Sequence, residues 1–190
     1  MEKSVLRKEY LKKRKDLSLA DMNAFSVKIH DWLFASFPIH NYATIHSFLP
    51  IKRKNEVDTG LIITTLRKDF TASIVIPKSH EDGTLTNYIL KEDTILLENK
   101  FGVPEPINDS PLTVDAQDID LVLLPLIIFD KQGYRVGYGK GYYDRFLSEC
   151  RPDVVKIGVS FFEPIEQILD VNDQDMKLDY CITPYGIWTF

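Results

Sequence analysis

Apolar residues in this chain follow two patterns, helical spacing and short continuous runs. Helical spacing predicts helices over residues 3–17 and 20–36, and Ser18 between them suits the N-cap of the second helix. Residues 57–69 predict a third, amphipathic helix, and residues 142–150 a fourth.

The continuous apolar runs predict strands that are buried on both faces. They occupy residues 42–49, 73–76, 120–124 and 154–161. Pro77 is expected to stop the second strand, and Asp82-Gly83 predicts a hairpin turn. Because strands alternate with helices, we expect one α/β domain over residues 1–190, with a mainly parallel central sheet and helices on both faces.

Composition narrows the function classes. The chain has 190 residues, of which 44% are hydrophobic and 27% charged, and its net charge of −5 makes general nucleic-acid binding unexpected. Residues 1–20 are locally basic, which suits either an anion or a solvated helix face. The longest apolar run, residues 121–129, is too short for a membrane span.

Cysteine usage and the N-terminal residues bear on the compartment. Cys150 and Cys181 lie far apart, without the spacing of a disulfide framework or a structural zinc site. Lys and Arg interrupt the N-terminal residues, where a signal peptide would need an apolar core. We expect a cytoplasmic protein with no membrane or nucleic-acid partner, acting as a monomer.

One stretch in the second half of the chain carries most of the candidate chemistry. Residues 133–144 read GYRVGYGKGYYD after the apolar run that ends near Phe129. The stretch contains alternating glycines, two cations and a carboxylate: Gly137, Gly139, Gly141, Arg135, Lys140 and Asp144. Glycines let backbone N–H groups approach a ligand closely, and a helix N-terminus favours anions. The stretch therefore predicts a site for a polyphosphate and its metal, although a plain strand-to-helix turn is the simpler alternative.

Two common phosphate-binding motifs do not fit this stretch. A Walker A loop needs four residues between its first glycine and the Gly-Lys pair, whereas Gly133 and Gly139 are separated by five. Gly141 also stands where that motif has Ser or Thr. The dinucleotide fingerprint needs a further glycine three residues after Gly139, which is absent.

The stretch instead resembles the signature of the 5-formyltetrahydrofolate cyclo-ligase family, also called methenyltetrahydrofolate synthetase. That signature is an apolar strand, Pro, Phe-Asp and then Gly-x-Arg-Leu-Gly-x-Gly-x-Gly-Tyr-Tyr-Asp. Pro125, Phe129-Asp130 and residues 133–144 follow its order and spacing. Other segments resemble the family in the same order, namely Lys3 with Leu6-Arg7, Glu56–Thr59, Pro77-Lys78, Gly102–Pro106 and Asp175–Asp179.

The resemblance implies the role of each candidate residue. The catalytic residues would be Lys140 and Arg135. ATP would be bound by Lys3, Arg7, Arg135, Gly137, Tyr138, Gly139, Lys140, Gly141, Tyr142 and Tyr143. The folate would be bound by Leu49, Glu56, Tyr138 and Tyr142. Magnesium would be bound by Asp144 and Asp175.

The implied reaction converts 5-formyltetrahydrofolate and ATP into 5,10-methenyltetrahydrofolate, ADP and phosphate, with Mg²⁺. ATP would phosphorylate the formyl oxygen, and loss of phosphate would drive ring closure. The folate is expected with or without a polyglutamate tail, which the basic residues 52–54 are expected to meet. Two alternatives remain at this point: a small-molecule kinase with another acceptor, and a nucleotide- or folate-binding module without turnover.

Three positions depart from the family pattern. Leu126 stands where the family usually has Gly, which would crowd the entry of the loop. Tyr138 replaces a residue that is often basic, so one phosphate or substrate contact is expected to be lost. Gln174 stands where many members carry His.

Overall fold

The central sheet is assembled from the continuous apolar runs, and four helices flank it. The computed structural model describes residues 1–107 and 112–190. The helices are α1 (Lys3–Lys15), α2 (Leu19–Ser36), α3 (Gly60–Asp69) and α4 (Tyr142–Glu149). The strands are β1 (Thr44–His46), β2 (Ser73–Ser79), β3 (Leu85–Ile89), β4 (Leu96–Glu98), β5 (Pro104–Pro106), β6 (Thr113–Val114), β7 (Leu121–Pro125), β8 (Ile128–Phe129), β9 (Arg135–Val136), β10 (Val155–Val159), β11 (Tyr180–Thr183) and β12 (Gly186–Thr189).

Eight of these strands form one sheet in the order β12-β11-β10-β7-β1-β2-β3-β6. The inner strands from β11 to β2 run parallel, whereas β12, β3 and β6 join their neighbours antiparallel. Two small antiparallel hairpins, β4-β5 and β8-β9, lie outside this sheet. The mainly parallel central sheet predicted from the sequence is thus confirmed.

Strand β7 shows why the sheet is covered on both faces. Leu121 and Leu123 pack into the core that α2 and α3 cover, while Val122 and Leu124 pack into the core that α4 covers. Successive strand residues point to opposite faces, so an unbroken apolar run needs helices on both sides. The predicted placement of helices is confirmed.

Helix α1 packs beside the β8-β9 hairpin. Leu6 is buried there with Ile128 and Val136. The helix start is tied to a distant segment, because the backbone N–H of Lys3 donates to Asp170 Oδ1 at 2.7 Å. These contacts bring the N-terminal cations to the glycine loop.

Three local predictions were wrong. The third helix begins at Gly60 and not at residue 57, because the preceding residues are held by tertiary contacts: Thr59 Oγ1 donates to the Phe48 carbonyl at 2.6 Å. Strand β2 continues through Pro77 to Ser79. The backbone N–H groups of the odd-numbered residues of β2 point toward β1. Because β1 has already ended at His46, an N–H at position 77 would have no strand partner, so Pro77 is tolerated there.

The strand predicted over residues 42–49 is also shorter, because β1 covers only Thr44–His46. Two other local signals behave as the sequence suggests. Ser18 caps α2, its side chain accepting from the Asp21 N–H at 3.0 Å. Gly83, with φ of +90°, turns the chain between β2 and β3. None of the helices in the described ranges 1–107 and 112–190 has the length and apolar character needed to cross a membrane.

Candidate active site

A cleft of about 1120 Å³ opens where the parallel strands end. Pro125 at the end of β7, Pro77 near the end of β2, and Phe48 just after β1 all line it. Open parallel sheets bind ligands at the carboxyl ends of their strands, where loops and helix N-termini converge. The glycine stretch, which leaves β9 and opens α4, forms one wall of this cleft.

Two glycines give this wall its shape. Gly139 and Gly141 have φ of +86° and +69°, values in the left-handed region that favours glycine. A Cβ placed on Gly137 would meet no atom within 4 Å, so this backbone faces open space in the cleft. Arg7 holds the wall from the other side, its Nε donating to the Gly137 carbonyl at 2.7 Å.

The structure brings all of the sequence-predicted site residues to the lining of this one cleft. They are Lys3, Arg7, Leu49, Glu56, Arg135, Gly137, Tyr138, Gly139, Lys140, Gly141, Tyr142, Tyr143, Asp144 and Asp175. Residues almost the whole chain apart therefore meet, while the role of each remains a prediction.

The cations around the cleft differ in what they already contact. Lys140 is exposed, and its ammonium forms no ion pair with any residue in the described part of the chain. Lys3 Nζ lies 2.5 Å from Asp175 Oδ2, and both side chains are 17% exposed. Lys140 is thus available to an incoming anion, whereas Lys3 is engaged with a carboxylate.

Arg135 is placed differently from an exposed phosphate ligand. Its guanidinium is buried. Nη2 donates to Asp144 Oδ1 at 2.8 Å, and Nη1 donates to the Met176 carbonyl at 2.5 Å. Burial lowers the pKa of Arg135, and the nearby Asp144 carboxylate partly offsets that effect. Arg135 therefore supports Asp144 from below the cleft surface.

The two predicted metal ligands leave oxygens for a hard cation. Asp144 Oδ1 accepts from Arg135 and from the Met176 N–H at 3.1 Å, and Asp175 Oδ2 accepts from Lys3 and from the Asn172 N–H at 2.7 Å. No group of three or more His, Cys, Asp or Glu side chains suited to a metal occurs among residues 1–107 and 112–190. One or two carboxylates completed by phosphate oxygens and water suit Mg²⁺. The donor set therefore fits magnesium bound together with a nucleotide.

Glu56 lines the part of the cleft formed by residues 48–56, which we call its folate end, and both of its carboxylate oxygens are oriented. Oε1 accepts from the Tyr138 hydroxyl at 2.6 Å, and Oε2 accepts from the Ile51 N–H at 2.7 Å. Burial raises the pKa of Glu56, and the Ile51 and Tyr138 hydrogen bonds partly offset the rise. This part of the cleft therefore suits a ligand with directional N–H donors better than one recognised by charge alone.

The two adjacent tyrosines are anchored differently. The Tyr142 hydroxyl donates to the His80 carbonyl at 2.7 Å, which ties the start of α4 to the β2-β3 hairpin. The Tyr143 hydroxyl is buried without a hydrogen-bond partner among the described residues, and burial raises its pKa. The ring of Tyr143 packs at 5.9 Å from that of His46. Tyr142 and Tyr143 thus present apolar surface to the cleft.

Two arginines at this site were missed from the sequence. Arg145 joins the cleft walls, donating from Nε to the Gly83 carbonyl at 2.9 Å and from Nη2 to the Lys140 carbonyl at 2.7 Å. Arg14 is buried, and its Nη2 donates to the Tyr138 hydroxyl at 2.5 Å. The sequence did contain a signal for Arg14, since residues 3, 7 and 14 fall on one helix face.

Leu126, which departs from the family pattern, is accommodated in the core. It is 4% exposed and packs below the loop, close to Gly158. A Cβ on Gly158 would lie 2.6 Å from Leu126 Cδ2, so the glycine at position 158 makes room for the leucine. The expected crowding of the loop entry is therefore relieved.

Comparison with known proteins agrees with the sequence resemblance. A family model for the 5-formyltetrahydrofolate cyclo-ligase family matches residues 1–184. A curated 5-formyltetrahydrofolate cyclo-ligase of Mycoplasma pneumoniae is 31% identical over 180 residues, covering 94% of this chain and 97% of its own length.

Solved structures of similar proteins show the same architecture. The NMR structure of Aquifex aeolicus 5,10-methenyltetrahydrofolate synthetase has a TM-score of 0.83 at 30% identity, covering 100% of this chain and 93% of that one. The structure of a 5,10-methenyltetrahydrofolate synthetase from Mycoplasma pneumoniae has a TM-score of 0.76 at 28% identity, covering 97% and 99%. The fold class and the family resemblance are both confirmed: the chain belongs to the 5-formyltetrahydrofolate cyclo-ligase family, a family of ligases.

Proposed function

We propose that this protein converts 5-formyltetrahydrofolate and ATP into 5,10-methenyltetrahydrofolate, ADP and phosphate in a magnesium-dependent reaction. The observation that carries the proposal is that one cleft is lined both by the glycine loop, with its exposed Lys140, and by Glu56. A phosphate donor and a pterin bound at these two ends would meet in the middle. Family membership supports the same reaction.

The proposed reaction needs no nucleophilic side chain from the protein. The formyl oxygen attacks the terminal phosphorus of ATP, and the bond from that phosphorus to the bridging oxygen breaks to release ADP. The neighbouring secondary amine then attacks the formyl carbon and loses its proton to water, and the carbon–oxygen bond breaks so that phosphate leaves with the former formyl oxygen and the electron pair. Such a reaction depends mainly on positioning and on neutralising phosphate charge.

The phosphate end of the cleft suits that task. In our proposal Lys140 and the backbone N–H groups of Gly139 and Gly141 hold the polyphosphate, assisted by the positive end of α4. Arg7 holds the loop through Gly137 and turns its remaining N–H groups to the nucleotide. Lys3 exchanges its contact with Asp175 for one with phosphate. Arg135 acts by holding Asp144.

Asp144 and Asp175 would hold the magnesium ion. Bound there, the ion would neutralise phosphate charge during transfer. The free carboxylate oxygens of the two residues and the adjoining phosphate-binding loop support this assignment.

The other end of the cleft suits a folate. Glu56 would accept the paired N–H groups of a 2-amino-4-oxo pterin, with Leu49 and Tyr142 packing on the ring system. The exposed cations at positions 52–54, of which Arg53 and Lys54 line the cleft, would meet the glutamate tail. Tyr138 touches both ends of the cleft and would contact both ligands.

One absorbance experiment separates this proposal from its alternatives. Protein, ATP, Mg²⁺ and 5-formyltetrahydrofolate should give the near-ultraviolet band of methenyltetrahydrofolate, with ADP formed in equal amount. ATP consumption with another acceptor and no band would favour a small-molecule kinase. Folate or nucleotide binding without either product would favour a binding module.

We also propose that the protein acts as a monomer in the cytoplasm. Every residue assigned above lines one cleft of this chain.

A further inference from the structure

Arg14 differs from every other basic residue near the end of α1. Lys12, Lys13 and Lys15 are exposed, whereas Arg14 is only 4% exposed. Burying a charged guanidinium carries a desolvation cost that its pairing only partly repays, so such a group is weak evidence for stability. The contacts of Arg14 therefore point to a role besides stability.

Those contacts all lead to the folate end of the cleft. Nη1 of Arg14 donates to the Leu126 carbonyl at 3.2 Å, and Nη2 donates to the Tyr138 hydroxyl at 2.5 Å. The Arg14 carbonyl accepts from Asn55 Nδ2 at 3.2 Å. Asn55 immediately precedes Glu56, so this backbone contact places the end of α1 beside the segment that carries Glu56, while the Arg14 side chain reaches Glu56 through Tyr138.

The polarity of this chain of hydrogen bonds is fixed by the chemistry of its ends. A guanidinium can only donate, and an ionised carboxylate can only accept. The Tyr138 oxygen must therefore accept from Arg14, and its own proton must point to Glu56 Oε1, 2.6 Å away. With Ile51 donating to Oε2, the carboxylate cannot rotate without breaking two hydrogen bonds.

We infer that Arg14 is a positioning residue for folate recognition, which acts through Tyr138 to hold the Glu56 carboxylate in the orientation that accepts a pair of parallel N–H donors. This inference rests on the proposed function. Each carboxylate oxygen still has acceptor capacity toward the cleft, because each accepts one described hydrogen bond. The ligand chemistry recognised is a planar amidine- or guanidine-like N–H pair, as in a 2-amino-4-oxo pyrimidine ring.

The charge of Arg14 has a second consequence. Glu56 is faced by Arg14 from α1, by Lys54, by Tyr138 from the glycine loop and by Tyr143 from α4. Burial raises the pKa of Glu56, while the positive charges of Arg14 and Lys54 counter the rise. Removing Arg14 should therefore raise that pKa further and protonate Glu56 at a higher pH.

The test compares Arg14→Met and Tyr138→Phe with wild type and with Lys12→Met, which removes an exposed cation from the same helix. We expect Arg14→Met to raise KM for 5-formyltetrahydrofolate about tenfold, with KM for ATP within about twofold of wild type. The acid limb of kcat/KM for the folate should move to higher pH. Tyr138→Phe should raise the folate KM by a similar factor. The double variant should show no higher folate KM than either single variant, because both substitutions interrupt the same chain of hydrogen bonds to Glu56.

Equal behaviour of Arg14→Met and Lys12→Met would overturn the inference, as would equal rises in KM for both substrates or an unmoved acid limb. If Arg14→Met does not fold, Tyr138→Phe decides alone, because it removes one hydroxyl and keeps the ring. If the wild type forms no methenyl product, the proposed reaction fails. Equilibrium binding of 5-formyltetrahydrofolate to the same variants then decides the inference, with about tenfold weaker binding expected.

Discussion

The two ends of the cleft, which we assign to phosphate and folate, are built in opposite ways. At the phosphate end, Lys140 is exposed and free of any ion pair in the described part of the chain, and it shares a loop with Gly137, whose backbone faces open space. At the folate end, Glu56 is already bound to Tyr138, which is bound to a buried Arg14. The phosphate end therefore presents an exposed cation, whereas the folate end presents a carboxylate that hydrogen bonds already hold in place.

The difference follows from what each ligand offers. The charge of a polyphosphate is dense and is redistributed during phosphoryl transfer. A flexible lysine can move with that charge and stabilise the transition state, so removing the lysine should lower mainly kcat. The N–H groups of a pterin keep their direction and charge throughout the reaction, so a fixed carboxylate suits them. Removing that carboxylate should weaken folate binding equally in the ground state and the transition state, and so raise mainly KM for the folate. Substitutions at the two ends should therefore separate in their kinetics.

The largest effect is expected at Lys140. Lys140→Ala should lower kcat about 1000-fold, because a cation aimed at the transferring phosphoryl group acts mainly in the transition state. The melting temperature should be unchanged, since the side chain is exposed. Lys131→Ala, another exposed lysine near the start of the same stretch, is the matched control. Turnover near the wild-type rate in Lys140→Ala would contradict its role.

Asp144 is expected to affect both turnover and folding. Asp144→Asn should lower kcat/KM for ATP about 100-fold through loss of a magnesium ligand. It should also lower the free energy of unfolding by about 2 kcal/mol, because Arg135 is left buried without its charged partner. Urea titration and steady-state kinetics measure the two effects. Asp118→Asn, on an exposed turn, should change neither quantity.

Glu56 should give the folate end its pH dependence. The pKa of Glu56 is raised by burial, so acidification should protonate it at a pH above the ordinary range for Glu and raise the folate KM there. Glu56→Gln should raise that KM about tenfold at neutral pH and remove this acid limb. An acid limb that survives unchanged in Glu56→Gln would assign it to another group.

The smallest effect is expected at the basic turn. Arg53→Ala should weaken binding of a polyglutamylated folate about threefold at low salt and leave the monoglutamate unaffected, because exposed ion pairs contribute little and are screened. Lys28→Ala, an exposed cation on α2, is the control. An equal effect of Arg53→Ala on both folates would place the tail elsewhere.

The sequence was most informative where local chemistry decides structure. The glycine spacing with its flanking cations, the continuous run of β7 and the Ser18 cap all fix local geometry through backbone freedom, burial or a single hydrogen bond. These signals sufficed for the fold class and for the glycine loop, whereas the family resemblance added Lys3, Arg7 and Glu56, which also line the cleft.

Tertiary contacts decided what could not be predicted. Pro77 remains inside β2 only because β1 ends early, and Leu126 fits only because position 158 is Gly. Arg14 looks like one more surface cation until Tyr138 and Leu126 are brought against it. Each of these depends on a residue far away in the sequence; helical spacing placed Arg14 on the same face as Lys3 and Arg7 but could not identify its partners.

The central claim is that ATP held at one end of the cleft activates the formyl oxygen of a folate held at the other. It can be tested by labelling that oxygen with a heavy isotope and analysing the phosphate released by the wild-type protein. The account predicts that each phosphate formed with methenyltetrahydrofolate carries the label, because the formyl oxygen leaves with it. Methenyltetrahydrofolate formed with unlabelled phosphate would contradict the account.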